Sequence, residues 1–126
     1  MRLLPRTLSF ALLLVAASLP AQVGVKKGAV VYHGSASNTS APAVIQEGKV
    51  KEATPEWKRI QSEGIDQGSA QGKQLLVQMT TRIKNAAKEA AEEAGRDMVA
   101  RKDDITDKQG RDVVDLTDKV VAKVGA

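Results

Sequence analysis

AQGKQLLVQMTTRIKNAAKEAAEEA, residues 70–94, is the stretch on which the fold turns. Leu75, Leu76, Met79, Ile83, Ala86, Ala87, Ala90 and Ala94 recur at spacings of three and four, which gathers them on one stripe of an α-helix. Lys73, Arg82, Lys84, Lys88, Glu89, Glu92 and Glu93 supply most of the polar surface. Gly95 follows as a natural C-cap. At 1.5 Å per residue, about 25 residues make a rod of roughly 37 Å. The alanine-rich half has little bulk and suits the close approach of another backbone. Such a stripe must be buried, and the flanking sequence has to supply the cover.

Upstream, Thr54-Pro55-Glu56 is a helix start. Thr can cap, Pro fits the first helical position, and Glu complements the positive end of the helix dipole. The spacing predicts a helix to about Glu63, ended by Gly64, Asp66, Gly68 and Ser69. Trp57 and Ile60 would pack it onto the long helix. Leu75, Leu76, Met79, Ile83, Ala87 and Ala90 are the matching positions, for helix packing or for contacts between subunits. Further upstream, Ala43–Gln46 and Ala29–Tyr32 read as strands, separated by the loop-like GSASNTSAP of residues 34–42.

Downstream, Asp97–Arg101 and Arg111–Val114 read as strands of a hairpin, with Asp107-Lys108-Gln109-Gly110 as its turn. Thr117 is read as the cap of a last short helix, with Asp118 in its first turn and Val120, Val121 and Val124 as its apolar contacts. A strand, a long helical region, two strands and a short helix define an α+β fold.

The N-terminus reads as an export signal. Arg2 and Arg6 precede a short apolar run, Leu8–Val15, broken only by Ser9; Ala16, Ala17 and Ser18 follow, then Pro20 and Ala21. The run is well short of the roughly 20 residues that span a bilayer. Cleavage is expected near Ala21 or Gln22, with export across the inner membrane. Removing residues 1–21 leaves 126 − 21 = 105 residues, with 19 − 2 = 17 Lys and Arg against 15 Asp and Glu, a balance of +2. Charges of both signs are mixed along the chain, and after the signal only Tyr32 and Trp57 are aromatic. That composition argues against a nucleic-acid partner. With no cysteine there are no disulfides, and a core of Val, Ile, Leu, Ala and Met buries little per residue. Oligomerisation would make up the shortfall.

Nothing in the chain points to catalysis, to a cofactor or to a small-molecule substrate. The single histidine, His33, sits at a strand-to-loop edge beside Gly34, without the nucleophile and orienting acid that a triad needs. One His and no Cys give no zinc spacing. Asp103-Asp104 with Asp107 lacks the alternating ligands, central Gly and terminal Glu of a calcium loop, and reads as solvated turn residues.

Two separated blocks resemble one family. Residues 81–99, TRIKNAAKEAAEEAGRDMV, followed by residues 114–124, VDLTDKVVAKV, are similar to the C-terminal part of the OmpH/Skp family of periplasmic chaperones. Asp115-Leu116-Thr117 and Val120 match the family segment that opens its last helix. Residues 43–60, AVIQEGKVKEATPEWKRI, resemble its first strand, its Lys49-Val50 dipeptide and its Thr54-Pro55-Glu56 helix start. The resemblance implies a trimeric β-rich body carrying helical-hairpin arms, and a holdase that shelters unfolded outer-membrane proteins without ATP. Here the first helix reaches only about Ile65 before Asp66–Gly72 turns the chain, so the arms are much shortened. The resulting map is a signal at 1–21, a flexible segment at 22–42 and a family-like domain at 43–126. Within that domain the helical hairpin covers about 55–94, and the C-terminal strands and helix cover 96–124. The alternative is an envelope interaction module that keeps the oligomeric body without chaperone activity.

Overall fold

The periodic stripe forms a single helix with the expected bounds, Ala70–Ala94, in the structure, a computed structural model that describes residues 21–125. The export signal lies, apart from Ala21, outside the described residues. In chain order the elements begin with β1 (Gly24–Val25), β2 (Val31–His33) and β3 (Pro42–Ile45). Three helices follow: α1 (Glu47–Ala53), α2 (Pro55–Glu63) and α3 (Ala70–Ala94). The chain ends with β4 (Met98–Arg101), β5 (Ile105–Asp107), β6 (Val114–Asp115) and α4 (Thr117–Val124). The fold is α+β.

Local chemistry sets the helix ends. Thr54 accepts the Trp57 amide at 3.2 Å, Pro55 opens α2, and Gly64 closes it in the left-handed region at φ 61°. The Ser69 side chain accepts the Gly72 amide at 3.0 Å, and Gly95 caps α3 at φ 70°. α4 differs from expectation. Thr117 is its first residue and not its cap; the Asp115 carboxylate accepts the Thr117 amide at 2.8 Å instead. The Thr117 hydroxyl oxygen is used elsewhere, accepting the Gln46 amide at 2.9 Å.

The main sheet has the strand order β2-β4-β3-β6. β3 runs parallel to β4 on one side and to β6 on the other, while β2 is antiparallel to β4. Parallel neighbours need a long crossover, and α1, α2 and α3 make it between β3 and β4. All of β3 is buried, as a central parallel strand covered on both faces must be.

Three expectations are corrected. Residues 97–101 and 111–114 do not form a hairpin. Asp107 does make the local turn, accepting the Gln109 amide at 3.0 Å, and Gly110 takes φ 75°. The far edge of β4 is already filled by β2, so the chain after the turn crosses to the free edge of β3 and forms the shorter β6 there. Residues 22–42 are not a flexible leader: β1 pairs with β5 and β2 with β4, while Val23 and Thr39 are buried. The segment 47–53, with no element assigned from sequence, is helical and points its one fully buried side chain, Val50, into the core.

That core lies between one face of the sheet and the helices. Ala43, Ile45 and Val99 meet Met79, Ile83, Ala86, Ala87, Ala90 and Ala91 of α3, with Val50, Leu116, Val120 and Val124 closing the ends. The alanines let α3 lie low on the sheet, where larger side chains would overpack. On the other face, Met98 and Ala100 are covered by Val23, with Val25, Val31, Ala36 and Ile105 around them.

Two glycines in helices predict opposite outcomes. A Cβ on Gly72 would stand 2.1 Å from the Asp66 carbonyl oxygen and 2.8 Å from the Gln67 Cα, both rigid backbone. Gly72→Ala should therefore cost about 1–3 kcal/mol despite its better helix propensity. A Cβ on Gly48 meets nothing within 4 Å, so Gly48→Ala should gain up to about 1 kcal/mol. Urea midpoints of the two variants check both signs.

Candidate functional site

α2 and α4 both pack on α3, and between them an open groove of about 500 Å³ runs along the α3 surface. Val77, Gln78, Thr81, Arg82, Asn85, Ala86 and Glu89 form its floor, at the helical spacing of one face; Glu56 of α2 and Lys123 of α4 stand at its sides. Val77 is 66% exposed, the one large apolar side chain left open among the described residues.

Two ion-pair clusters hold these walls. Arg82 grips the nearly buried Glu56 with two donors, Nε to Oε1 at 2.9 Å and Nη2 to Oε2 at 3.0 Å. Burial pushes the Glu56 carboxyl up, but the Arg82 hydrogen bonds outweigh it and hold it below the ordinary range. At the other end Lys123 donates to Glu93 at 2.6 Å and lies 3.8 Å from Glu89, while Lys119 lies 3.5 Å from Glu93. Lys123 thereby lowers the Glu93 carboxyl. The amides of Gln78 and Asn85, the Thr81 hydroxyl and the Val77 methyls remain for a ligand. They offer shallow polar and apolar contacts along an open surface.

The residues singled out for packing are placed as follows. Ile60, Leu75, Met79, Ile83, Ala87 and Ala90 are buried within the single chain, and Trp57 and Leu76 are partly buried against the main core. Trp57 also carries the Lys51 ammonium over its ring, 3.8 Å from the centroid. The motif positions fall into two groups. Thr54, Pro55 and Glu56 build the α2 start, beside an exposed Lys49 and a buried Val50. Asp115, Leu116, Thr117 and Val120 build the junction of β6 with α4. The two blocks meet there: Leu116 donates to the Val44 carbonyl at 2.8 Å, and Gln46 donates to Thr117.

Asp104 is the residue that sequence reasoning misses. It is a core charge, 1% exposed, and not a solvated turn residue. Its Oδ2 accepts the Val30 amide at 2.9 Å and Arg101 Nε at 3.0 Å. Lys26 Nζ lies 3.2 Å from Oδ1, within ion-pair distance but off the line of a good hydrogen bond. Arg101 also reaches Glu47 at 3.5 Å, and the Tyr32 hydroxyl donates to the same carboxylate. Only Arg101 is a sequence neighbour, so no local pattern announces the cluster. Asp97 does similar work nearby: it accepts the Ser40 and Ala41 amides at 3.0 and 3.2 Å and the Thr39 hydroxyl. Among the described residues no group of three or more His, Cys, Asp or Glu could hold a metal ion, and no helix is long and apolar enough to cross a membrane.

Comparison with family models, with curated proteins and with solved structures finds no match for the chain. The likeness to the OmpH/Skp family therefore rests on residues 43–60, 81–99 and 114–124 themselves.

Asp104 generates a pH-dependent prediction. Burial raises its carboxyl, but the Val30 amide, Lys26 and Arg101 together hold it below its ordinary value. A depressed carboxylate adds stability above its unfolded pKa of about 3.9, and that stability is lost as pH falls through the lower folded value. Asp104→Asn removes the charged partner of Lys26 and one of the two carboxylates at Arg101, both solvent-accessible, and should cost about 1–3 kcal/mol at neutral pH. Its urea midpoint should fall less steeply than the wild type's below about pH 4. Parallel curves would show that Asp104 carries no such linkage.

Proposed function

We propose that this chain is an exported, periplasmic holdase of the OmpH/Skp type, which binds unfolded outer-membrane proteins without ATP. The observation that carries the reading is the meeting of the family-like blocks, 43–60 with 81–99 and 114–124. They share one sheet through β3, β4 and β6, with α3 packed on the sheet and α2 packed on α3. The resemblance implies a homotrimer, and the aromatic-poor core argues for subunit contacts in the same direction.

The α2–α3 surface sets the mechanism. Val77 and the flanking amides and hydroxyls give a client weak, replaceable contacts. Many such contacts from several subunits oppose aggregation through effective concentration while leaving the client mobile. The short α2, nine residues against the 25 of α3, limits how deep a cage these arms can form.

A second reading, the interaction module without chaperone activity, is favoured by one observation. Ile60, Leu75, Met79, Ile83, Ala87 and Ala90 are spent inside the protomer, which leaves little apolar surface for a client.

Light scattering and an aggregation assay on a denatured outer-membrane barrel separate the two. The holdase reading expects an oligomer, with three subunits in its mass, that keeps the barrel soluble. An inert monomer would contradict both the oligomer and the activity; an inert trimer would leave the interaction module. Val77→Asp should weaken suppression while moving stability by no more than about 0.5 kcal/mol, since the side chain is mostly in water.

A further inference from the structure

Strand β1 stands apart from the main sheet. It pairs only with β5, two residues against three, and an isolated two-stranded ribbon of that size is marginal in water. Four things keep the segment in place, the first a hydrogen bond from the Thr39 amide to the Ala21 carbonyl at 2.7 Å. Val23 is buried over Met98 and Ala100. The Lys26 amide donates to the Asp104 carbonyl at 2.9 Å and the Val23 amide to the Ala36 carbonyl at 3.0 Å. The Lys26 ammonium, 49% exposed, meets the Asp104 carboxylate. Gly28 follows at φ 80° with open space around it, a natural hinge before β2.

Lifted away, this strap would uncover a groove with Met98 and Ala100 as its floor, Val31, Ala36 and Ile105 at its sides, and the backbone of β5 as a strand edge. Asp104 waits at one end. Its Val30 and Arg101 contacts satisfy Oδ2, while Oδ1 depends on Lys26.

We propose that this groove is a peptide-binding site whose built-in occupant, Val23–Lys26, competes with an extended client segment of the pattern apolar-any-apolar-basic. A client strand would pair with β5 in place of β1, set its apolar side chains where Val23 and Val25 lie, and bring a Lys or Arg to Asp104. This is strand addition to a sheet edge, in which main-chain hydrogen bonds give affinity and side-chain pockets give selection. The occupant's chemistry is read from the chain's own segment, and the buried carboxylate makes the basic residue a requirement: an uncompensated Asp104 would oppose any neutral or acidic substitute. The inference rests on the holdase reading for the source of its partner, since alternating apolar strands are what outer-membrane barrels supply. The tethered strap acts at high effective concentration, so a free peptide binds the intact protein weakly.

The test uses the exported chain and a fluorescein-labelled peptide with the sequence of residues 22–28, QVGVKKG, titrated by anisotropy. Val23→Ser with Lys26→Ala loosens the strap and leaves the groove intact; its apparent affinity for the peptide should rise by on the order of tenfold. Gly24→Cys with Asp107→Cys clamps the strap, because these residues are ladder partners and a Gly24 Cβ would stand 3.0 Å from the Asp107 Cβ, near the roughly 3.5–4.5 Å of a disulfide. The oxidised clamp should not bind the peptide, and reduction should restore binding. A peptide with glutamates in place of its lysines should bind none of the forms. Equal binding by loosened, native and clamped protein would overturn the proposal. Should the loosened variant lose its cooperative melt, the oxidised and reduced clamp, one protein in two states, decide the matter by the same criterion. If both clamp states suppress barrel aggregation equally, the groove is not the client site and the holdase stands. If the loosened protein binds peptide and no form suppresses aggregation, the groove stands and the holdase falls.

Discussion

Strand β3 has a hydrogen-bonded neighbour on each edge, and both neighbours come from beyond the long helix. Ala43 aligns with Val99 on one side and with Val114 on the other. The chain can therefore complete its sheet only after α1, α2 and α3 have brought residues 98–101 back beside residues 42–45, and β6 can dock only once β3 is in place. Non-local parallel pairing of this kind carries its loop-closure cost before any contact rewards it. The alanine flank of α3 offsets that cost. Ala87, Ala90 and Ala91 are fully buried, so the helix covers β4 and β2 at short range and shields the sheet from water.

Charge placement depends on the same closure. α3 carries Glu89, Glu92 and Glu93 near its C-terminal end, where the helix dipole opposes negative charge, and has no basic residue in its last turn. An isolated helix with that pattern would be weakened at its end. The docked α4 supplies Lys119 and Lys123 against Glu93 and Glu89. Arg82 and Glu56 hold α2 further along the same helix. Asp104 and Asp97 do the corresponding work on the N-terminal side, tying residues 26–41 to the turns on either side of β4.

These features explain which parts are legible in sequence. α3 is readable because its stripe and its Gly95 stop are local signals, and the Ser69 that caps it lies among the residues that end α2. Thr54-Pro55 marks α2 for the same reason. α1 is not readable: seven residues with Gly48 among them and one fully buried side chain, Val50, carry no period. The expected hairpin shows the limit of turn chemistry. Asp107–Gly110 makes the turn its residues favour, but pairing is decided by which sheet edge is free, and β2 takes the edge of β4. Asp104 reads as a solvated turn residue because its partners Lys26 and Val30 lie far off in the chain. Of the surface residues, Val77 interrupts no motif, and only burial of everything around the stripe reveals it as the exposed apolar position on the α3 groove.

The proposed holdase role would need a body that stays folded while its surfaces exchange partners. In this chain the tightly buried layer of β3, β4 and α3 supplies the body, and the exposed groove and the weakly paired β1 supply the surfaces. Native-state hydrogen exchange tests that division most directly. The amides of residues 99–101, Leu116 and Val120 should exchange only with global unfolding and at a common free energy, while the Lys26 and Val30 amides open at a lower one. If Leu116 exchanged well before residues 99–101, the two chain ends would not form one cooperative sheet, and the dependence of the fold on closure around β3 would be contradicted.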